Sequence, residues 1–455
     1  MAFIIINLSC VNATQNDDND FSSLNSDLNI SSQSKTFNLT KDYTFNSAND
    51  EEYSSGINID IEDLIIDGQG HSINADNQAR IFNIQSNNVT LKNLVIINGF
   101  SDSQGAAVYW TGLNGQIINS TFKNSVSKNI GGAVYFSSSA IVTESKFINN
   151  SANFGGAVNL DKGIVTNCEF EDNFAKYLGG AIFSSQHSDI FNSTFKLNEA
   201  GDGGGIYFFT TGLVENTVFE KNNAIGYGGA ITNEGKIVIR NTAFIKNTGA
   251  YSGAIFLKGN GDIDNSIFNE NSAKEGGAID SYCDDTVITN CIFNHNEAEK
   301  GKSLQIINKN VEIENTTFNN NISSFESEIY MECDNPTLLN LTFNNVTKKS
   351  ENNSNTSNVI SKKKTTITAK SKIFKLKTKT KKYQVILKSG KTLLKNKKIK
   401  LKVRGKTYSA KTNSKGKAIF KLKITKKGKF KAIIQFNGDK SYKASKKVAY
   451  IKIKK

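Results

Sequence analysis

Phenylalanine recurs at Phe122, Phe147, Phe170, Phe195, Phe219, Phe244, Phe268, Phe293, Phe318 and Phe343, a mean spacing of 24.6 residues. Three residues after these positions comes Asn150, Asn173, Asn198, Asn222, Asn247, Asn271, Asn296 and Asn321, with Ser125 in the first unit. Three residues before them the residue is again Asn, from Asn119 to Asn340, with Glu144 the exception. Gly-Gly-Ala-Ile/Val follows at Gly131, Gly155, Gly179, Gly228 and Gly276, weakening to SGAI at Ser252, GKSL at Gly301 and ESEI at Glu326. A period of 20–50 residues implies a solenoid, a propeller or an array. No unit contains ten residues of helical periodicity, which disfavours helical repeats. A propeller blade needs roughly 40 residues for its four strands. Two or three short strands in 24–25 residues fit one coil of a parallel β-helix.

In such a coil every repeating position becomes a ladder of like side chains, ~4.8 Å apart. Phe and the residue two before it point the same way, and that partner is small: Ser145, Cys168, Ser193, Thr217, Thr242, Ser266, Cys291, Thr316. A large column beside a small one fills a narrow interior. Asn tolerates the left-handed conformation at turns, and its amide can bond to the Asn of the next coil. The Gly pair supplies positive φ or close backbone approach. About twelve coils would make a rod of ~55–60 Å.

The tandem FxxN and GGA[IVL] motifs resemble those of chlamydial polymorphic outer-membrane proteins. The layout, including DGQGHSIN at Asp67 and NNVTLKNLVIING at Asn87, is similar to adhesin-like surface proteins of methanogenic archaea. The resemblance covers residues ~57–346 by the repeat criterion, and the tail. It implies an all-β chain: a right-handed, single-stranded, pectin-lyase-like parallel β-helix on a cell surface. The last 95 residues, Lys-rich on alternate positions, do not read as the membrane barrel of the chlamydial proteins.

The flanks differ in composition from the repeats. Residues 1–13 hold a short apolar stretch and Val11-Asn12-Ala13, small residues that suit secretory cleavage after Ala13. The basic flank expected before it is missing, which points to a start upstream of Met1. A short buried strand is the alternative. Cys10 follows Asn7-Leu8-Ser9, a poor match to a lipidation signal. Residues 14–34, rich in Asn, Asp and Ser, read as disordered. The body, 35–346, is the β-helix. Residues 347–364 are a polar linker without apolar periodicity. Asn119, Asn192, Asn315 and Asn340 start Asn-x-Ser/Thr triplets, acceptors if the chain is exported, though an Asn-rich chain also yields them by chance.

Residues 365–455 alternate apolar and Lys, as in Ile399-Lys-Leu401-Lys-Val403 and Phe420-Lys-Leu422-Lys-Ile424. Roughly seven strands in ~95 residues suit an immunoglobulin-like β-sandwich, and GKTYSAKTNSKGKAIFKLKITKKGKFKAIIQFNGDKSY resembles the Ig-like modules of surface proteins. From Ser361 onward there are 35 Lys and Arg against one acid, Asp439, a net of +34; residues 1–360 carry a net of −20. Lys on solvated faces is one explanation. Attachment to an anionic wall polymer, acidic glycan or anionic lipid is the other, since +34 exceeds the ~2–8 that solubility requires. No recognition helix, zinc pattern or RNA-binding aromatic motif marks a specific nucleic-acid partner. No apolar run reaches the ~18–20 residues of a membrane-spanning helix.

Parallel β-helices also host polysaccharide lyases and hydrolases, so paired catalytic groups matter. Asp284-Asp285 occupies the turn that carries His187-Ser188-Asp189 or Lys258-Gly259-Asn260-Gly261 in other coils. His187 and Asp284 lie four coils apart, ~19 Å, too far to cooperate. Arg80 and Arg240 accompany no acidic pair, and His71 reads as part of an opening turn. Cys168 and Cys291 stand five coils apart and Cys283 and Cys333 two, beyond disulfide reach of ~7 Å. They read as buried free thiols. The sequence thus assigns no catalytic, cofactor or metal residue. It points to an exported, noncatalytic, adhesin-like surface protein. Its β-helix would bind an unidentified host or neighbouring-cell glycan or protein ligand. Its basic domain would hold an anionic envelope polymer. A carbohydrate-active enzyme is the alternative.

Overall fold

A computed structural model describes residues 19–30, 34–319, 325–344, 365–390, 392–438, 442 and 444–454. The cleavage region 1–13, Cys10 and the linker 347–364 lie outside them. The chain divides into two units, a repeat domain and a carboxyl-terminal domain.

The repeat domain is a parallel β-helix of about twelve turns. Among the described residues its strands form three stacks: a 21-stranded sheet made of two joined columns, a 13-stranded sheet and a shorter 7-stranded one. The 13-stranded sheet carries the Phe column. Tyr43, Ile73 and Ile96 begin it, and from Phe122 onward each Phe is in register with the next, ending at Phe343. The ten rings stack nearly parallel at 4.7–5.1 Å. Beside them the small column is buried. Its hydroxyls accept N–H groups from the preceding coil, as Ser145 does from Ser120 (3.1 Å) and Ser193 from Cys168 (3.1 Å).

The two Asn columns divide roles that the sequence pattern left merged. All ten residues three before Phe, Glu144 included, have φ between 44° and 56°. They are left-handed corners, and Asn is favoured there because a short amide suits that conformation. The Asn three after Phe is not itself the corner. The residue before it is, whether Asn149, Leu197, Lys221, Glu270 or His295. The buried Asn instead forms a continuous ladder. Asn198 donates its main-chain N–H (3.0 Å) and Nδ2 (2.9 Å) to Asn222 Oδ1, and Nδ2 also to Phe170 O (3.0 Å). Asn222 repeats the pattern on Asn247 and Phe195. In the Gly pairs each position has its own reason. Gly155 has φ +59°, whereas a Cβ on Gly156 would sit 2.1 Å from Gly180 O in the next coil.

The expectation of disorder over 14–34 is corrected at residues 21–30, while 14–18 and 31–33 lie outside the described residues. Phe21–Ile30 is an α-helix. Phe21, Leu24 and Leu28 recur at helical spacing and are buried. Asp50 accepts the N–H groups of Phe21 (3.0 Å) and Ser22 (2.8 Å), and Asp20 accepts that of Ser23 (2.9 Å). Phe21 packs edge-on against Phe45 at 5.3 Å, and Thr44 N donates to Asn19 O. The polar composition concealed three apolar residues that cover the first coil.

Among the described residues the carboxyl-terminal domain has nine strands, where the alternation suggested roughly seven. Thr366–Thr368, Lys381–Ser389, Thr392–Leu393 and Lys417–Leu422 form one sheet. Lys372–Lys375, Ser445–Lys454, Gly428–Phe436, Lys398–Val403 and Lys406–Lys411 form the other. Apolar residues of both sheets share one cluster, including Tyr383, Val385, Leu401, Phe420, Ile434 and Ile451. Lys alternates outward, except Lys381, which is buried and donates to Thr378 O (2.6 Å).

Candidate functional site

The residue two places after the Ala of each GGA motif heads a column on the outer surface of the wide sheet. In register it runs Tyr109, Tyr135, Asn159, Phe183, Tyr207, Thr232, Phe256, Asp280 and Gln305. Its alternate neighbours, such as Val134, Phe136, Ile231 and Ile255, face the core. This column is the floor of a shallow groove along the coils. One wall comes from residues just before the Gly pairs, among them Phe154, Asp202, Tyr227, Tyr251 and Glu275, with Tyr177 adjacent. The other comes from the turn after the floor strand, with Phe209, Glu234, Lys258 and Tyr282.

Aromatic rings connect floor to wall along the coils. Tyr109 stacks on Tyr135 at 5.4 Å, Phe154 meets Tyr177 at 5.4 Å and Phe183 at 6.0 Å, and Phe183 stacks on Tyr207 at 5.8 Å. Further along, Tyr227 lies 4.4 Å from Phe256 and 5.0 Å from Tyr251, and Phe256 lies 5.8 Å from Tyr282. Tyr177, Tyr251 and Tyr282 are 45%, 38% and 44% exposed, with Lys176 Nζ 4.9 Å over the Tyr177 ring and Tyr227 stacked on one face of Tyr251.

Carboxylates interleave with the rings. Asp202 accepts the Tyr227 N–H at 2.7 Å, yet burial pushes its carboxyl above the usual range. Burial also opposes ionisation of Glu234, but the Tyr207 hydroxyl (2.6 Å) and Lys258 (3.0 Å) bring it below the usual range. Asp280 is fully buried. Burial pushes it up to about 7, with Glu275 adding repulsion and the Gln305 amide, Ser252 hydroxyl and Lys300 opposing. Neither Asp280 oxygen reaches full hydrogen-bond geometry. Gln305 Nε2 spans the groove, donating to Glu275 (2.7 Å) and Tyr282 Oη (3.1 Å).

The residues weighed in the sequence lie elsewhere. Asp284 and Asp285 are exposed in their turn, where Asp284 O accepts the Asn310 N–H and Asp285 accepts its Nδ2, each at 2.9 Å. His187 pairs with Asp189 (2.9 Å) and Thr211 (2.8 Å). Four register steps separate their turn from that of Asp285, as the spacing implied. Arg80 is structural: it donates to Gly105 O, Ser55 O, Gln104 O and the hydroxyls of Ser101 and Ser103. Arg240 stands in register between Glu215 and Asp264. His71 closes the DGQGH turn and lies 3.4 Å from Asp42. Cys168, Cys283, Cys291 and Cys333 are free thiols, and burial pushes Cys168 and Cys291 up to about 12. Among the described residues, no group of three His, Cys, Asp or Glu is placed to hold a metal, and no helix is long and apolar enough to cross a membrane.

Sequence reasoning missed the groove because its residues are the variable ones. One available signal was a position that keeps its register while its identity shifts among Tyr, Phe, Asn, Thr and Asp. Core columns do not vary in that way.

Two stretches, residues 167–185 and 265–282, match the Chlamydia polymorphic membrane protein repeat. Each runs from a left-handed Asn corner through the Phe strand toward the groove floor. The repeats of this chain are thus similar to those of that family. No curated protein matches the chain.

Proposed function

We propose that this is an exported, noncatalytic surface protein of the adhesin type. The solenoid presents the aromatic groove to a glycan or protein ligand, and the Lys-rich domain holds an anionic envelope polymer. One observation carries the reading: a ladder whose buried Asn column bonds from coil to coil carries a variable aromatic and polar column on the outward side of its wide sheet. That is the division of labour expected of a recognition scaffold. Similarity to polymorphic membrane protein repeats supports surface display. The DGQGHSIN and NNVTLKNLVIING segments support a place among the adhesin-like proteins of methanogenic archaea, with the carboxyl-terminal domain an Ig-like module. The test is binding of the full chain to a glycan array and to whole cells. No retention on any cell or glycan would refute the reading.

A carbohydrate-active enzyme is the second reading, and Asp280 is the observation that favours it. A carboxyl brought near neutrality beside a second carboxylate is the usual profile of a general acid. Against it, both Asp280 oxygens are shielded from solvent. Turnover on a lyase and hydrolase panel, abolished by Asp280→Asn, would establish it.

A further inference from the structure

We infer that the outward face of the five-stranded sheet docks on an anionic lipid bilayer, with Ile373, Ile433 and Val448 entering the headgroup region among its Lys. This goes beyond the envelope polymer proposed above, since it concerns one face of the domain and a partner with an apolar phase. Three observations lead to it.

The charge is unevenly shared between the two sheets. Among the described residues, the five-stranded sheet turns out three exposed Lys on Lys398–Val403, three on Ser445–Lys454 and two on Gly428–Phe436. Lys372–Lys375 and Lys406–Lys411 add one each. The four-stranded sheet turns out only Lys382, Lys388, Lys417 and Lys421. On the richer face Lys429 stands directly opposite Lys452, and Lys398 opposite Lys411. Such like-charge pairs destabilise a sheet, and an overlying negative surface relieves them.

The same face carries a contiguous apolar band. Ile433 and Val448 are cross-strand neighbours, Tyr450 follows Val448 on that side, and Ile373 lies opposite Lys452. Val448, Tyr450 and Ile373 are 41%, 42% and 58% exposed. Lys429 Nζ lies 4.6 Å over the Tyr450 ring, so the aliphatic side chains are the open part of the band. On the other sheet the exposed Ile419 and Leu393 are separated, for they pair with Gln384 and Lys388, four residues apart along one strand.

Shape selects between a bilayer and a polymer. Five strands ~4.8 Å apart make a face ~19 Å wide. A linear polyanion follows one track of Lys and leaves the apolar band in water. A bilayer sets a plane of negative headgroups over the whole face and takes aliphatic side chains at the acyl boundary.

The experiment is co-sedimentation of the full-length protein with vesicles of phosphatidylcholine, alone or with about one-third phosphatidylglycerol. Soluble polyphosphate binding is measured beside it. We expect binding to the anionic vesicles only. Ile373→Ser/Val448→Ser should weaken it about tenfold while leaving polyphosphate binding unchanged. Lys400→Gln/Lys402→Gln should weaken vesicle binding at least tenfold, and Lys382→Gln/Lys421→Gln on the other sheet much less. No binding to anionic vesicles, binding indifferent to the Ser pair, or equal losses from the two Lys pairs would overturn the assignment. Polyphosphate binding without vesicle binding would overturn it too, while leaving the envelope-polymer reading standing. Vesicle binding without polyphosphate binding would uphold it and remove the polymer. Thermal melts of each variant verify that the domain is folded.

Discussion

The solenoid and the Lys-rich domain both fill their interiors by alternation, but they hold their polar groups differently. The solenoid turns polar residues inward and satisfies them along its axis. Asn150 through Asn296, Ser145, Ser193 and Thr217 are buried, and each bonds to a neighbouring coil. The carboxyl-terminal domain keeps an almost wholly apolar core and sends its polar residues outward as Lys. Among the described residues it contains no carboxylate to pair with them. One region therefore depends on internal hydrogen bonds and is electrostatically mixed outside, with ion pairs such as Lys146–Glu169 and Lys196–Glu171 at 2.8 Å. The other depends on hydrophobic burial and is electrostatically single-signed.

The largest expected effect breaks the ladder. Asn222→Ala removes the acceptor of two Asn198 donors and strands Phe195 O and one bond on Asn247 Oδ1. A buried orphan costs ~1–3 kcal/mol, so the loss should be about 3–5 kcal/mol. Urea unfolding followed by hydrogen exchange should localise it to the coils around 198–247, leaving the transition of the carboxyl-terminal domain unmoved. A loss below about 1 kcal/mol would mean that water replaces the amide, and the ladder would not be what distinguishes the two regions.

The second effect is pH-dependent and confined to the solenoid. Asp280 and Glu328 are both buried, and burial pushes each up to about 7. Their folded pKa values exceed the unfolded ones, so the native state binds more protons between about pH 4 and 7. Both groups favour folding fully at the acid end of that window, and the contribution is lost as pH rises through 7. Asp280→Asn should flatten this slope and stabilise the solenoid by about 2–4 kcal/mol at pH 8, with little change near pH 4. Thermal melts across pH 4–8 measure it. An unaltered slope would place the Asp280 carboxyl in contact with water.

These effects also mark how far the sequence was readable. Phe and Asn columns were legible because stacking forces like residues to recur, and Cys168 and Cys291 fell in the small column for the same reason. The roles of the two Asn columns were not separable, since a corner and a ladder both favour Asn. Two occupants of the other corner, Leu197 and Lys221, carry no turn propensity, and each precedes a laddered Asn. The helix Phe21–Ile30 was hidden because three apolar residues in a polar stretch become significant only once there is an open coil to cover. Asp280 looked like any polar residue on a sheet, and its surroundings include Gln305 and Ser252, contributed by neighbouring coils. In the carboxyl-terminal domain strict alternation gave the strands and the outward Lys, while buried Lys381 breaks it, sharing the inward parity of Tyr383, Val385 and Leu387.

The corner Asn provides a smaller test. Asn241 has φ 50° and accepts from Asn265 Nδ2 at 2.6 Å near the surface. Asn241→Ala should cost about 1–2 kcal/mol, the left-handed penalty of a Cβ without a polar side chain. That is below the expected cost at Asn222, although the repeat treats both positions as Asn. Equal losses would show that the exposed ladder matters as much as the buried one.

The smallest effect on stability carries the sharpest functional contrast. Lys400 and Lys402 lie on the exposed face of their strand, opposite Gln435 and Ile433. Replacing both by Gln removes like-charge repulsion and should change stability by no more than a few tenths of a kcal/mol, within the ±0.5 typical of surface substitutions. Attachment is a separate matter. If the Lys face holds an anionic polymer, each neutralised contact lowers the salt slope of binding by about one, as counterion release requires. Retention of the full chain on isolated anionic envelopes, measured as salt is raised from roughly 0.05 to 0.5 M, should therefore weaken in Lys400→Gln/Lys402→Gln with no change in melting temperature. A fall in both quantities would make these Lys structural, and a fall in neither would leave them merely solvated. Only retention falling alone separates a charge used for contact from the solenoid's charges, which pair along the coils.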